Sequence, residues 1–148
     1  MQSYGHDIEA SWLMWDAVEA FIPEEERAPY RDMCLTLAEA TCERAFTDHG
    51  MENEIVEGEV EHTRVWWVQA ETVLGFMNAF DLTGDNIWQE RAAQQWRYVQ
   101  DVIADPRPGS EWYWSTDEHG VPTDKPIVEE WKCPYHNGRM CLRIIEKA

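Results

Sequence analysis

The chain has 148 residues, 44% hydrophobic and 12% aromatic, with a formal net charge of −17. That length and composition belong to a globular chain with a core of its own and exclude bulk disorder. Nucleic acid and anionic membrane are excluded as partners, because 12 Lys and Arg against 29 acidic residues leave no cationic cluster for phosphate. Nine tryptophans exceed the needs of such a core. Six of them fall in pairs, Trp12 with Trp15, Trp66 with Trp67 and Trp112 with Trp114, which suits stacking on a sugar or aromatic ligand as well as gap-filling between helices. Cys34, Cys42, Cys133 and Cys141 form no CxxC pair and follow no signal peptide, so reduced thiols in a cytoplasmic protein are expected. No apolar run suits a bilayer span.

The first helix is expected from Asp7, as its N-cap, to Phe21 before Pro23. Ile8, Trp12, Trp15, Val18 and Ile22 make one apolar stripe, and Ala10, Leu13, Met14, Ala17 and Phe21 a second, so both sides should be covered. His6 stands at the entrance, with Glu9 one turn along. A second, amphipathic helix is expected over Glu25 to Phe46, ended by His49-Gly50; the acidic stretch Met51 to Glu61 reads as a loop carrying carboxylates.

A third helix over Arg64 to Leu82 has a packing stripe of Trp66, Ala70, Val73, Met77 and Phe80. Beside it lies a mixed stripe of Trp67, Glu71, Leu74 and Asn78, suited to lining a cavity. Thr83-Gly84-Asp85 is a stop followed by a cap, and the fourth helix carries Trp88, Ala92, Trp96, Val99 and Ile103 up to Asp105-Pro106. Glu111 to Gly120 reads as a β-hairpin arm with alternating aromatics. In Trp131-Lys132-Cys133-Pro134-Tyr135-His136-Asn137, Pro134 keeps the preceding residues extended, so a last helix should start near His136 or Asn137 and run to about Lys147. The first and third helices are too apolar for so short a chain to cover unaided. Five helices alternating between buried and amphipathic are closer to part of a two-ring toroid than to a four-helix bundle.

Four stretches carry a resemblance: Tyr4-Gly5-His6-Asp7-Ile8-Glu9-Ala10-Ser11-Trp12-Leu13, Trp66-Trp67-Val68-Gln69-Ala70-Glu71, Glu111-Trp112-Tyr113-Trp114, and Trp131 to Asn137. In this order they resemble the N-acylglucosamine 2-epimerase superfamily, and within it the cellobiose 2-epimerases. The resemblance implies an all-α fold, the C-terminal half of an (α/α)6 barrel, with residues 1–148 forming one partial domain. It implies epimerisation at C2 of the reducing-end glucose of a β-1,4-linked disaccharide, with no metal or other cofactor. By the same resemblance His6 and His136 are the acid/base pair, Glu9 orients the first histidine, Trp67 and Trp131 are aromatic walls and Glu71 is a polar partner. Met1 stands just ahead of the His6 motif, so the barrel's N-terminal half, or a second copy of the chain, is the expected partner besides the sugar.

The residue types suit that chemistry. Inverting C2 needs two groups that exchange protons near neutral pH, and imidazole, with a pKa of about 6.5, is the side chain matched to it. Three other readings compete. His6, Glu9, Glu71 and His136 could bind a metal, although their spacing fits no metal motif. The chain could bind sugar or assemble without catalysis, and Glu9 with Glu71 could serve as the carboxylate pair of a glycoside hydrolase.

Overall fold

A computed structural model of the chain describes residues 1–147. Five α-helices carry it: α1 (Tyr4–Phe21), α2 (Ala28–Ala45), α3 (Trp66–Thr83), α4 (Asn86–Tyr98) and α5 (Tyr135–Lys147). Each answers a helix expected from periodicity. α4 runs on into a π-helical turn, Val99–Ile103, which keeps Val99 and Ile103 in the core. Gly84, at φ 69°, ends α3 in the left-handed conformation, and Asp85 then caps α4 by accepting from Ile87 N at 3.0 Å.

α3 is the central element, packed against α1, α2, α4 and α5. Every residue from Val68 to Phe76 is buried, so this chain covers its third helix unaided, contrary to expectation. Four neighbouring helices suffice. The α1–α3 contact is close because two glycines face it. A Cβ on Gly5 would lie 2.5 Å from the Trp67 ring, and one on Gly75 would lie 2.6 Å from the Ile8 side chain. The expectation does hold for α1. Its Ile8, Trp12 and Val18 stripe is buried, but its second stripe is not: Leu13 and Ala17 are exposed and Phe21 is 82% exposed.

α1 begins four residues earlier than expected. Ser3, not Asp7, is the N-cap, its Oγ accepting from His6 N at 3.4 Å. Asp7 sits inside the first turn and accepts from Gln2 Nε2 at 2.9 Å. Ser3 is available because β1 (Gln2–Ser3) is held extended by a sheet that periodicity did not disclose. The acidic stretch expected to be a loop opens on the last residue of β3 (Gly50–Met51), which pairs with β2 (Phe46–Thr47), and contains a hairpin of β4 (Glu54–Val56) and β5 (Glu59–Glu61). Glu57 (φ 53°) and Gly58 (φ 93°) make the left-handed turn that such a two-residue hairpin requires. β1 joins β4 antiparallel, giving the order β1-β4-β5, and Asn53 O accepts from Tyr4 N at 3.1 Å.

The aromatic arm has its expected turn, closed by Asp117 N donating to Val121 O at 2.9 Å and Thr123 N to Ser115 O at 3.0 Å. It is not a free hairpin. β7 (Ser115–Thr116) pairs with β6 (Arg64–Val65), and Trp114 O accepts from Trp66 N at 3.1 Å, satisfying one of the amides that the start of α3 leaves unpaired. Among the described residues no helix is long and apolar enough to cross a membrane.

Candidate active site

Three helix starts meet at one place. His6 lies in the first turn of α1, Trp67 in that of α3 and His136 in that of α5. The Trp67 ring touches both histidines, edge-on to His6 at 4.9 Å and tilted against His136 at 5.3 Å between centroids. Trp66 and Tyr135 also meet His136 edge-on, at 5.4 Å and 4.9 Å. Residues 130 apart in the chain therefore share one aromatic floor.

Beneath that floor lies Glu71, with 0% exposure, and its oxygens are fully engaged. Oε2 accepts from Trp12 Nε1 at 2.9 Å. Oε1 meets His136 Nδ1 at 2.6 Å and Arg139 Nη2 at 2.8 Å. A carboxylate only accepts, so Nδ1 carries the hydrogen, and Nε2 of His136 has no hydrogen-bond partner among the described residues.

Arg139 was not foreseen from the sequence, yet it joins the two candidate carboxylates: the same Nη2 donates to Glu9 Oε1 at 2.6 Å. Its guanidinium also lies over the rings of Trp12 and Tyr135, at 4.8 Å and 4.5 Å. Burial works against its charge, but hydrogen bonds to Glu71 and Glu9 outweigh burial and push its pKa up. A signal was present. Arg139, Arg143 and Lys147 recur every fourth residue on α5, and each meets an acid of α1 or α3: Arg139 meets Glu9 and Glu71, Arg143 meets Asp16, and Lys147 meets Asp81. Their side-chain exposure climbs along the helix, from 17% through 40% to 45%.

Two expected placements differ. Glu9 does not hold His6; it faces Arg139 and lies 3.8 Å from His136 Nδ1, because the turn after His6 brings it round to α5. His6 Nδ1 pairs instead with Ser3 Oγ at 2.8 Å. Trp131, proposed as a second wall, is 79% exposed on the turn before α5 and makes no stacking contact among the described residues.

The competing arrangements can be weighed on the same geometry. Glu9, Glu71 and His136 do offer ligand atoms within 4.8 Å of one another. However, Arg139 Nη2 bonds to both carboxylates, at 2.6 and 2.8 Å, so a fixed cationic group already takes the seat a metal would need. The same lock, with Glu71 sealed from solvent, keeps this pair from flanking a glycosidic bond.

The sequence model of the N-acylglucosamine 2-epimerase (GlcNAc 2-epimerase) family matches residues 2–138. A cellobiose 2-epimerase of Eubacterium cellulosolvens is 44% identical over 148 residues, all of this chain and 36% of that protein. The crystal structure of a sugar epimerase from a ruminal bacterium superposes with a TM-score of 0.94 at 42% identity, covering 99% of this chain and 38% of that one. Cellobiose 2-epimerase from Bacillus thermoamylovorans gives 0.90 at 40% identity, covering 99% and 37%. These neighbours are (α/α)6 barrels, and the helices described above form part of one, as the fold expectation held. The chain spans a little over a third of the length of the curated relatives it matches. With the family's model covering residues 2–138, this chain belongs to the N-acylglucosamine 2-epimerase family.

Proposed function

We propose that the chain, as one partial domain, supplies the C-terminal part of a sugar 2-epimerase pocket of the cellobiose 2-epimerase kind. The observation that carries this reading is the placement of His6 and His136 against one Trp67 ring, with the Nδ1 of His136 tied to Glu71. With the sugar ring opened, one imidazole takes the C2 proton. The C–H electron pair becomes the C1–C2 double bond of an enediolate, and the carbonyl oxygen takes up the negative charge. The other histidine, as imidazolium, returns a proton to the opposite face of C2. Trp67 offers a flat apolar face to the sugar, with Trp131 as a second wall if its turn folds inward on binding. Glu9 and Glu71 position the histidine and Arg139.

The partner in this reading is the rest of the barrel, supplied by an N-terminal half or by a second copy of the chain. The four free thiols support a reducing, cytoplasmic setting. The test is incubation with cellobiose in deuterated water, following exchange at C2, for the chain alone and with the remaining helices supplied as a separate chain. The chain alone is expected to be inactive. The complemented mixture is expected to exchange C2 and yield glucosyl-mannose, and His136→Asn to abolish both. No exchange in the complemented mixture would defeat the reading, and exchange only with an N-acylated hexosamine would move the substrate to that class.

A second reading, a half-barrel that binds sugar or self-assembles without catalysis, is favoured by the uncovered stripe of α1. Light scattering that finds a well-behaved monomer sinks its assembly form.

A further inference from the structure

Besides the Glu71 network, the segment carrying His136 is gripped by a second set of polar groups, Lys132 and Asn137 buried and Glu111 partly so, that the proposed reaction does not use. The Lys132 side chain is fully buried. Its Nζ donates to Glu111 Oε1 and, at 2.6 Å, to Ile127 O, and it lies 5.2 Å from the centre of the Trp66 ring. The other oxygen of the same carboxylate, Glu111 Oε2, accepts from Asn137 Nδ2 at 2.8 Å. Asn137 Oδ1 in turn accepts from Gly138 N at 3.1 Å. One carboxylate thus grips the chain four residues before His136 and one residue after it.

Glu111 is itself fixed, because its carbonyl accepts from Asp105 N at 2.8 Å. Asp105 is pinned by Arg107 Nε at 2.8 Å and Ser110 Oγ at 2.6 Å. The same Trp66 that covers the Lys132 ammonium meets the His136 ring edge-on. Burying an ammonium carries a large desolvation cost, and well-packed apolar residues often replace a buried ion pair without loss of stability. Stability alone is therefore a weak account of Lys132.

We propose that Glu111, Lys132 and Asn137 are positioning residues for His136. They fix the backbone on both sides of it, so that its ring stays in register with Glu71 and Trp67 and its Nε2 faces the pocket. The inference rests on His136 being an acid/base group, but its effect is read on the ring itself.

The test is a long-range proton–nitrogen spectrum of the imidazoles in the 15N-labelled chain. The unaltered chain should show His136 as a single tautomer with hydrogen on Nδ1, and with proton contacts to Trp66 and Trp67. The pair Glu111→Leu with Lys132→Met removes both arms of the clamp without stranding a buried charge. It should keep its circular dichroism while the Nε2–H tautomer of His136 rises and the tryptophan contacts fall at least twofold. The signals of the other four histidines should not move. An unaltered His136 ring in the folded pair overturns the proposal. If that pair does not fold, Asn137→Ala, which removes one arm and no charge, decides by the same signals, and an unchanged ring there overturns it equally. In the complemented barrel the pair should lower kcat for C2 exchange at least tenfold with KM within twofold. A mixture that never exchanges counts against the proposed function, while the ring spectra still decide the clamp.

Discussion

Glu71 takes the Nδ1 hydrogen of His136 across 2.6 Å while having no exposure of its own. Three donors converge on it, so it is both a support for the site and a structural anchor. Glu71→Ala should lower stability by about 3–5 kcal/mol, since it leaves the Trp12 indole and the His136 ring without an acceptor and Arg139 with Glu9 alone. Glu71→Gln should cost less, about 1–3 kcal/mol, because one oxygen still accepts. Urea unfolding followed by tryptophan fluorescence checks the order, and equal losses would mean that the remaining amide oxygen supports none of the three donors and that the charge of Glu71 carries the whole contribution.

Gly5→Ala tests whether α1 must touch α3 at Trp67. The added methyl would sit 2.5 Å from one ring carbon of Trp67 and 2.7 Å from Val68 Cγ2. Overpacking of this kind costs about 1–3 kcal/mol, and here it should also shift the near-ultraviolet dichroism of the tryptophans. A neutral substitution would show that the helices can separate freely.

Asp105 gives a pH-dependent contribution to stability. Hydrogen bonds from Arg107 and Ser110 hold its carboxyl far below the usual carboxylate range, against the opposing effect of burial. A folded-state pKa below the unfolded one stabilises at pH above about 3.9, and that gain is lost as pH falls through the folded value. The stability gap between the unaltered chain and Asp105→Asn should therefore be widest near neutral pH and should narrow below about pH 4. A gap independent of pH would remove Asp105 from the account.

The four thiols should divide into two classes. Burial pushes the pKa of Cys34 and Cys42 up, whereas Cys133 and Cys141 are exposed. A thiol reagent at neutral pH should label Cys133 and Cys141 promptly and the other two only on unfolding. Four equally fast sites would mean that α2 opens readily.

Periodicity disclosed the helices because each buried face repeats within its own helix. It also put Trp67, Glu71, His6 and His136 at helix starts or on a helix face, while the family resemblance alone gave them their expected roles. What it did not disclose depends on partners distant in sequence. Ser3 caps α1 only because β1 is held by β4, about fifty residues on. Glu9 looked like a partner for His6 from its place one turn along α1, but Arg139, 130 residues away, claims it. The β4–β5 hairpin was hidden by its own acids, since the short apolar set of Ile55, Val56 and Val60 does not outweigh four glutamates.

The ladder of Arg139, Arg143 and Lys147 makes α5 an ionic zipper with a wet end and a dry end. Salt weakens exposed pairs most and sheltered ones least. Raising ionic strength should loosen the helix from Lys147 backwards, leaving the turn around His136 as the last to fray. Loss of order at the tail and loss of the site are thereby separate events on one short helix.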